Sequence, residues 1–306
     1  LFFGIFHAHL ARVLCRMMDC CAMQTLDPSA LSGWVGKAEV SRDQVTITPL
    51  KALSATLDRH DPAPVLGQAI PPLWHWLYFL PTHQQSEIGP DGHARRGGFL
   101  PTVPLPRRMW AGSRFEFIDP LRVGDAITRT SVIEDVRVKS GKTGPLVFVV
   151  VRHEIAAAAG LALREWHDIV YREMPSVADA PPASQPAPAH SDWHREIIPD
   201  SVLLFRYSAL TFNGHRIHID RSYAVNVEGY PGLIVHGPLI ATLLMDLLRR
   251  NRPDAKVQAF RFKALQPLFD IAPFVLHGAS QASNEVRLWA TTPDGQLAVD
   301  ASATLC

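Results

Sequence analysis

The sequence predicts an α+β protein in which an apolar helix is wrapped by an antiparallel sheet, with that unit built twice. Three observations carry this. Residues 238–251 form a helical pattern that is apolar nearly all round. Runs of alternating and β-branched residues follow it. An earlier stretch repeats both features in the same order, across a Pro/Ala-rich divide.

In residues 238–251, Leu239, Leu243 and Leu247 recur at i, i+4 spacing, as do Ile240, Leu244 and Leu248. Pro238 suits a first helical turn, and Arg249 and Arg250 suit the last, where cations meet the negative end of the helix dipole. A helix with so little polar face needs covering on all sides. In the first half, residues 72–79 (PLWHWLYF) are its expected counterpart, shorter and more aromatic. Strands are expected at 126–138, 146–155 and 162–171, with a hairpin turn at 140–145 (SGKTGP) between the first two. In the second half they are expected at 257–265, 274–279, 285–292 and 297–305, with Pro293-Asp294-Gly295 as a turn.

The duplication rests on two echoes. Arg114-Phe-Glu-Phe-Ile-Asp-Pro-Leu121 resembles Arg261-Phe-Lys-Ala-Leu-Gln-Pro-Leu268, 147 residues on. Pro72-Leu73 and Pro238-Leu239 each open an apolar segment, 166 residues apart. The 19-residue difference places a longer insertion in the first half, around 83–108, rich in Gly, Pro and Arg. Residues 176–189 are rich in Pro and poor in large apolar side chains, the composition of an extended linker. The expected organisation is therefore an N-terminal segment at 1–22, a first domain at 23–175, the linker, and a second domain at 190–306.

Of 306 residues, 47% are hydrophobic and 19% charged, which fits a chain with a sizeable core. Thirty Lys and Arg against 29 Asp and Glu leave a net charge of +1. No global field gathers nucleic acid or an anionic membrane surface. No run of 18 apolar residues occurs, so a soluble protein is expected. The four cysteines are Cys15, Cys20, Cys21 and Cys306. A body without cysteine excludes a disulfide framework, a Cys-ligated zinc and a catalytic thiol there, and is compatible with a reducing cytoplasm. Residues 1–22 look foreign to the rest. They are expected to be translated upstream sequence, with Met23 the natural start; as a transit peptide, the alternative, they would place the protein in mitochondria.

The chemistry-bearing residues cluster before the second helix. Asn213, His215, Arg216, His218 and Asp220 fall within eight positions, and Tyr230-Pro-Gly-Leu-Ile-Val-His-Gly-Pro-Leu239 then approaches the helix N-terminus. Polar side chains beside free helix-terminal amides suit an oxyanion-forming reaction. No G-x-S-x-G elbow, Walker loop or G-x-G-x-x-G turn is present, so serine hydrolase, nucleotide hydrolase and Rossmann oxidoreductase readings lack their signatures.

The stretch from Tyr207 to His218, together with 230–239, resembles the MaoC-type (hydratase 2) hot-dog dehydratases. Residues 97–112 (GGFLPTVPLPRRMWAG) resemble the N-terminal half of one branch, that of fungal mitochondrial 3-hydroxyacyl-thioester dehydratase and bacterial mesaconyl-C4-CoA and itaconyl-CoA hydratases. The resemblance covers the chain after residue 23. It implies a double hot-dog fold, an acyl-CoA thioester substrate, no cofactor beyond the CoA that the substrate carries, and no metal. It also implies a first half that shapes the acyl pocket without catalytic residues; a homodimer of the whole chain is compatible with it.

In the family an Asp and a His five residues later activate water together. The His matches His218, but the Asp matches Asn213, and an amide cannot take a proton. His218 is then the expected general base, Asn213 holds water or substrate, and the Gly237 amide holds the thioester oxyanion. The alternatives stay open: Asn213 as a turn former beside Gly214, His236 as a capping residue, and Arg107 and Arg108 as solvated charges rather than ligands of CoA phosphates or a substrate carboxylate. His215, Arg216, His236 and Tyr230 complete the set expected around substrate. His215 and His218 stand at i, i+3, a metal-like spacing without an apparent third ligand. Hydration of a short branched dicarboxylyl-CoA is the expected reaction. The alternatives are dehydration in fatty acid synthesis, thioester hydrolysis and silent acyl-CoA binding.

Overall fold

The computed structural model describes residues 26–141, 144–173, 184–281 and 284–306. The segment 1–22 and residues 176–183 of the linker lie outside these. In chain order the first half contains α1 (Pro28–Ser32), β1 (Ala38–Gln44), α2 (Ile47–Thr56), a 3-10 turn at Trp74–Leu77, β2 (Arg107–Phe117), β3 (Ala126–Gly141), β4 (Gly144–Ala157) and β5 (Gly160–Arg172). The second contains β6 (Trp193–Ile197), α3 (Ser201–Leu210), a 3-10 turn at Arg216–His218, α4 (Arg221–Asn226), α5 (Gly237–Asn251), β7 (Val257–Ala264), β8 (Phe274–Ser280), β9 (Glu285–Thr291) and β10 (Leu297–Leu305).

All ten strands form one antiparallel sheet in the order β1-β3-β4-β5-β2-β7-β10-β9-β8-β6. The order is the same read from either end once each strand is matched with its duplicate. The join between β2 and β7 makes this concrete, because Arg114 pairs directly with Arg261, its own echo, and the register is symmetric about that pair. A pseudo-two-fold axis therefore passes through the sheet there, the intrachain analogue of a self-complementary dimer interface. The bridge Ala69↔Arg122 recurs as Ile234↔Phe269, 165 and 147 residues on. Pro72 thus corresponds to Gly237, one position from the alignment expected on sequence. The helices α2 and α3 start 154 residues apart, each after its edge strand.

The helix α5 matches its expectation. Every residue from Leu239 to Leu248 is buried, and Phe260, Leu276, Leu288 and Ala301 of the sheet lie in the same core. At about 25 cal/mol per Å² of apolar surface, such a helix is held by burial rather than by intrinsic propensity. Its expected first-half counterpart is not a helix. After Pro71 and Pro72, Leu73 takes a left-handed φ of 70°, four residues form a 3-10 turn, and Phe79 is left-handed again at 56°. The two prolines lack amide donors, and the left-handed residues at either end stop a helix from propagating.

Where the second-half sheet lies under the long helix α5, the first-half sheet carries different residues. Ala301 and Leu288, which lie under α5, correspond by register to Glu165 and His153; Gly278 corresponds to Ser131. Glu165 is 2% exposed and accepts hydrogen bonds from His75 Nε2 (2.9 Å), Trp76 Nε1 (2.9 Å) and His167 Nε2. His153 bonds Ser131 Oγ at 2.8 Å and meets the His167 ring edge-on. Burial alone would raise the Glu165 pKa, but His167 and His75 outweigh it and hold the carboxyl well below its usual range.

Glu165→Ala leaves three buried donors without an acceptor and is expected to cost about 3–5 kcal/mol in urea unfolding. Glu165→Gln, which keeps one acceptor oxygen, costs less; equal losses in the two variants would contradict this account.

Candidate active site

After α3 the backbone turns through Phe212 at a left-handed φ of 51°, and Asn213 Oδ1 accepts the His215 amide at 3.0 Å. Asn213 thus folds its own loop, the turn-forming role, and aims the next residues into the 3-10 turn that carries His218. The Ile234 amide donates to Ile217 O at 3.0 Å, which ties this turn to the approach of α5.

His218 is 8% exposed. Its Nδ1 donates to Ile234 O at 2.7 Å, so Nε2 carries the free lone pair in the neutral ring. Burial pushes its pKa down to about 4, against the hydrogen bond to Ile234, which raises it; His93 nearby adds to the fall. Its ring stacks on His236 with centroids 3.8 Å apart and 21° between planes. His236 is fully buried, stands at the N-cap position of α5 without a side-chain capping bond, and bonds Ser208 Oγ through Nε2 at 2.7 Å. His215 lies edge-on to His218 at 5.4 Å, and burial, then His93 and His218, push its pKa to about 2. At neutral pH these rings are uncharged.

Gly237 opens α5, and a Cβ added there would meet no atom within 4 Å. As the first helical residue its amide has no intrahelical acceptor, and it directly follows His236, whose ring stacks on that of His218.

The insertion of the first half arrives at this place. Gly89-Pro90-Asp91-Gly92 forms a turn closed by the Gly89 amide on His93 O at 2.7 Å. It docks on the second half through the Arg216 amide, which donates to Asp91 O at 2.9 Å. The backbones are so close that a Cβ on Gly92 would lie 1.9 Å from Gly214 O, and Gly92 has a φ of +90°. The turn delivers His93, whose ring packs 4.0 Å from that of His215. Asp91 Oδ2 bonds His93 Nδ1 at 3.1 Å, and its Oδ1 takes the His93 amide at 3.1 Å. Sequence reasoning missed Asp91 and His93. The P-D-G turn was legible, but not that it lands more than 100 residues away on the other half.

The expected substrate-binding residues divide. Arg107 donates to Glu228 O at 2.8 Å, pairs with its carboxylate at 3.2 Å and stacks on Tyr230. Arg216 pairs with Asp220 at 2.7 Å, reaches Pro90 O at 3.0 Å and covers Tyr223. Arg107, Arg216 and Tyr230 are therefore engaged in clamping the halves together. Arg108 differs: it pairs across strands with Tyr171 and lies close enough to depress the pKa values of both His93 and His215. Among the described residues, Asp91, His93 and His215 have potential metal-ligating atoms within 4.8 Å of one another. The Asp91 carboxylate, however, already holds the His93 ring, as an orienting partner rather than a free ligand.

The hydroxyacyl-thioester dehydratase type 2 family matches residues 73–270. The chain is 46% identical over 272 residues to mesaconyl-C(4)-CoA hydratase of Chloroflexus aurantiacus, covering 89% of this chain and 96% of that one. It is 27% identical over 261 residues to the mitochondrial hydroxyacyl-thioester dehydratase type 2 of Schizosaccharomyces pombe, covering 75% and 86%. A Mycobacterium tuberculosis protein with a double hot-dog fold superposes at a TM-score of 0.55 and 15% identity, over 89% of this chain and 96% of that one. With its α+β double hot-dog sheet and this family match, the chain belongs to the MaoC-like hydroxyacyl-thioester dehydratase type 2 family of hydro-lyases.

Proposed function

We propose that the chain is a hydratase adding water across the α,β double bond of a short branched dicarboxylyl-CoA, mesaconyl-C4-CoA or a close analogue such as itaconyl-CoA. One observation carries the reaction type. His218 is fixed as a neutral imidazole with Nε2 free, beside an open helix N-terminus at Gly237. The high identity to a mesaconyl-C(4)-CoA hydratase supports the substrate class.

In this reading the Gly237 amide takes the thioester oxygen and polarises the conjugated double bond. His218 Nε2 accepts a proton from water as the water oxygen bonds the β-carbon. The π electrons move onto the α-carbon and thioester oxygen, and the proton on His218 then goes to the α-carbon. Protonated His218 is a strong acid because burial disfavours its charge, which suits that last transfer. In this reading Arg108, unlike Arg107 in having no carboxylate partner among the described residues, meets an anionic group of the substrate. CoA enters as part of the substrate, and no cofactor is needed. No helix among the described residues is long and apolar enough to cross a membrane; a cytoplasmic location accords with the bacterial relative, and a mitochondrial one with the fungal relative.

A panel of mesaconyl-C4-CoA, itaconyl-CoA and crotonyl-CoA tests the reading, with hydrated product and free CoA both measured. Preference for the dicarboxylates with total thioester unchanged is expected. Preference for crotonyl-CoA or longer apolar chains would favour the dehydratase of fatty acid synthesis, and release of CoA a thioesterase.

His218→Ala is expected to lower kcat by about 10²–10⁴. Gly237→Ala should fold normally, since its methyl meets nothing in the free protein, yet lose about tenfold to a hundredfold in kcat/KM by displacing the thioester oxygen. The pH dependence separates chemistry from folding. His215, His218 and His236 all have depressed folded pKa values, so the unfolded chain binds more protons below about pH 6.5. Their contribution to stability is full above that pH and is lost as pH falls toward 4. Urea midpoints should therefore drop between pH 6.5 and 4 while kcat/KM at pH 6 stays near its neutral value.

A further inference from the structure

In the MaoC-type dehydratases that the sequence resembles, a carboxylate shares the activation of water; here that position is Asn213, whose side-chain oxygen is occupied by the His215 amide. An Asn cannot accept a proton, so the two-group activation implied by the family lacks one member within the second half.

The first half brings a carboxylate–imidazole pair to the same place. His93 Nδ1 bonds the Asp91 carboxylate, which accepts only, so this nitrogen carries the proton and Nε2 carries the lone pair. Its ring packs on His215 with centroids 4.0 Å apart, His218 meets the same His215 ring at 5.4 Å, and His93 lies near enough to His218 to lower its pKa. Both present an unprotonated Nε2. The side chain of His93 is 26% exposed, enough to be reached by water. Its position does not depend on a mobile side-chain contact, because the turn is closed on itself and tethered through the Arg216 amide and the Gly92–Gly214 approach.

We propose that Asp91 and His93, carried by the insertion of the first half, replace the missing carboxylate: His93 is a second catalytic residue of the hydration site and Asp91 is its positioning residue. The proposal rests on the hydratase reading. The attacking water is held between two imidazole acceptors. One O–H bond breaks and its proton goes to His218 Nε2; the other O–H is accepted by His93 Nε2, which aims an oxygen lone pair at the β-carbon. The C–O bond forms, the π pair passes to the α-carbon and thioester oxygen, and His218 returns its proton to the α-carbon. The water adds whole, and both imidazoles end neutral. The groups facing His93 are Asp91, His215, His218, Arg108 and Arg96. Burial lowers its pKa, Asp91 raises it, and the two arginines lower it further.

The test uses the full chain and mesaconyl-C4-CoA with wild type, H93Q, D91N, H218A and H93Q/N213D. H93Q keeps the backbone bond from residue 93 to Asp91, so the turn and the melting temperature should survive. The expected results are an H93Q kcat lower by about 10² with KM within threefold. D91N should lose about tenfold in kcat, and the acid limb of its kcat/KM profile should move to lower pH, because Asp91 holds the His93 pKa up. A gain of at least tenfold in H93Q/N213D over H93Q is expected, since it restores the family's carboxylate. Wild-type kcat in H93Q, an unshifted acid limb in D91N, or no gain from N213D overturns the proposal while wild type and H218A still uphold the hydratase reading. A wild type that hydrates no enoyl-CoA overturns both.

Discussion

The antiparallel join of β2 to β7 is the constraint on which the rest depends. It makes two five-stranded half-sheets into one sheet, and its register, symmetric about Arg114 and Arg261, sets how the halves face each other. The insertion runs directly into β2. Wherever β2 is anchored, the insertion must therefore emerge beside the second half, and from there the Asp91 turn reaches the loop at Gly214. Three contacts hold that arrangement: Arg107 on Glu228, Arg216 on Pro90, and the backbone approach of Gly92 to Gly214. The meeting of the two halves at this place is thus a consequence of strand pairing within the chain.

The same join explains why the duplicated halves could diverge. One half keeps a long apolar helix, and its sheet offers Ala301 and Leu288 beneath it. The other keeps a single 3-10 turn, in which His75 and Trp76 stand where Ile240 and Ala241 stand in α5. Polar side chains buried at a site that lost its helix must find partners or cost free energy. Glu165 supplies the acceptor for His75, Trp76 and His167, and Ser131 pairs with His153. The polar network fills with matched hydrogen bonds the volume that apolar packing fills in the other half.

Much of this was legible in the residues. The apolar periodicity of α5, the alternation of β3, β4, β9 and β10, and the echo at offset 147 are local patterns, and each lies where it was expected. The helix expected at 72–79 failed for a local reason that could have been weighed more heavily, the pair Pro71-Pro72 ahead of a short aromatic run. The edge strands β1 and β6 are short, with no residue of β1 buried and only Ile197 of β6, so they carry little core signal. His218 and Gly237 came from the match to a family motif. Asp91 and His93 came from neither source, because their meeting with His215 is set by tertiary pairing across more than 100 residues. Charge alone likewise could not separate Arg107, bound to Glu228, from Arg108, which lies near His93 and His215.

The first-half counterpart of the loop at Asn213 is occupied by ion pairs. At the 154-residue spacing of α2 and α3, Asn213 and His215 correspond to Arg59 and Asp61. Those two residues are ion-paired rather than free. Asp246, buried on α5, receives Arg59 at 2.7 Å, Arg195 at 3.0 Å and Arg250 at 2.7 Å, while Asp61 holds Arg59 and Arg249. A buried carboxylate is tolerable only when its charge is met so completely, and each arginine comes from a different turn or strand. These pairs tie α5 near its C-terminus to the first half, while Gly237 opens its other end. The first half thus helps fix the orientation of the helix whose other end begins at Gly237.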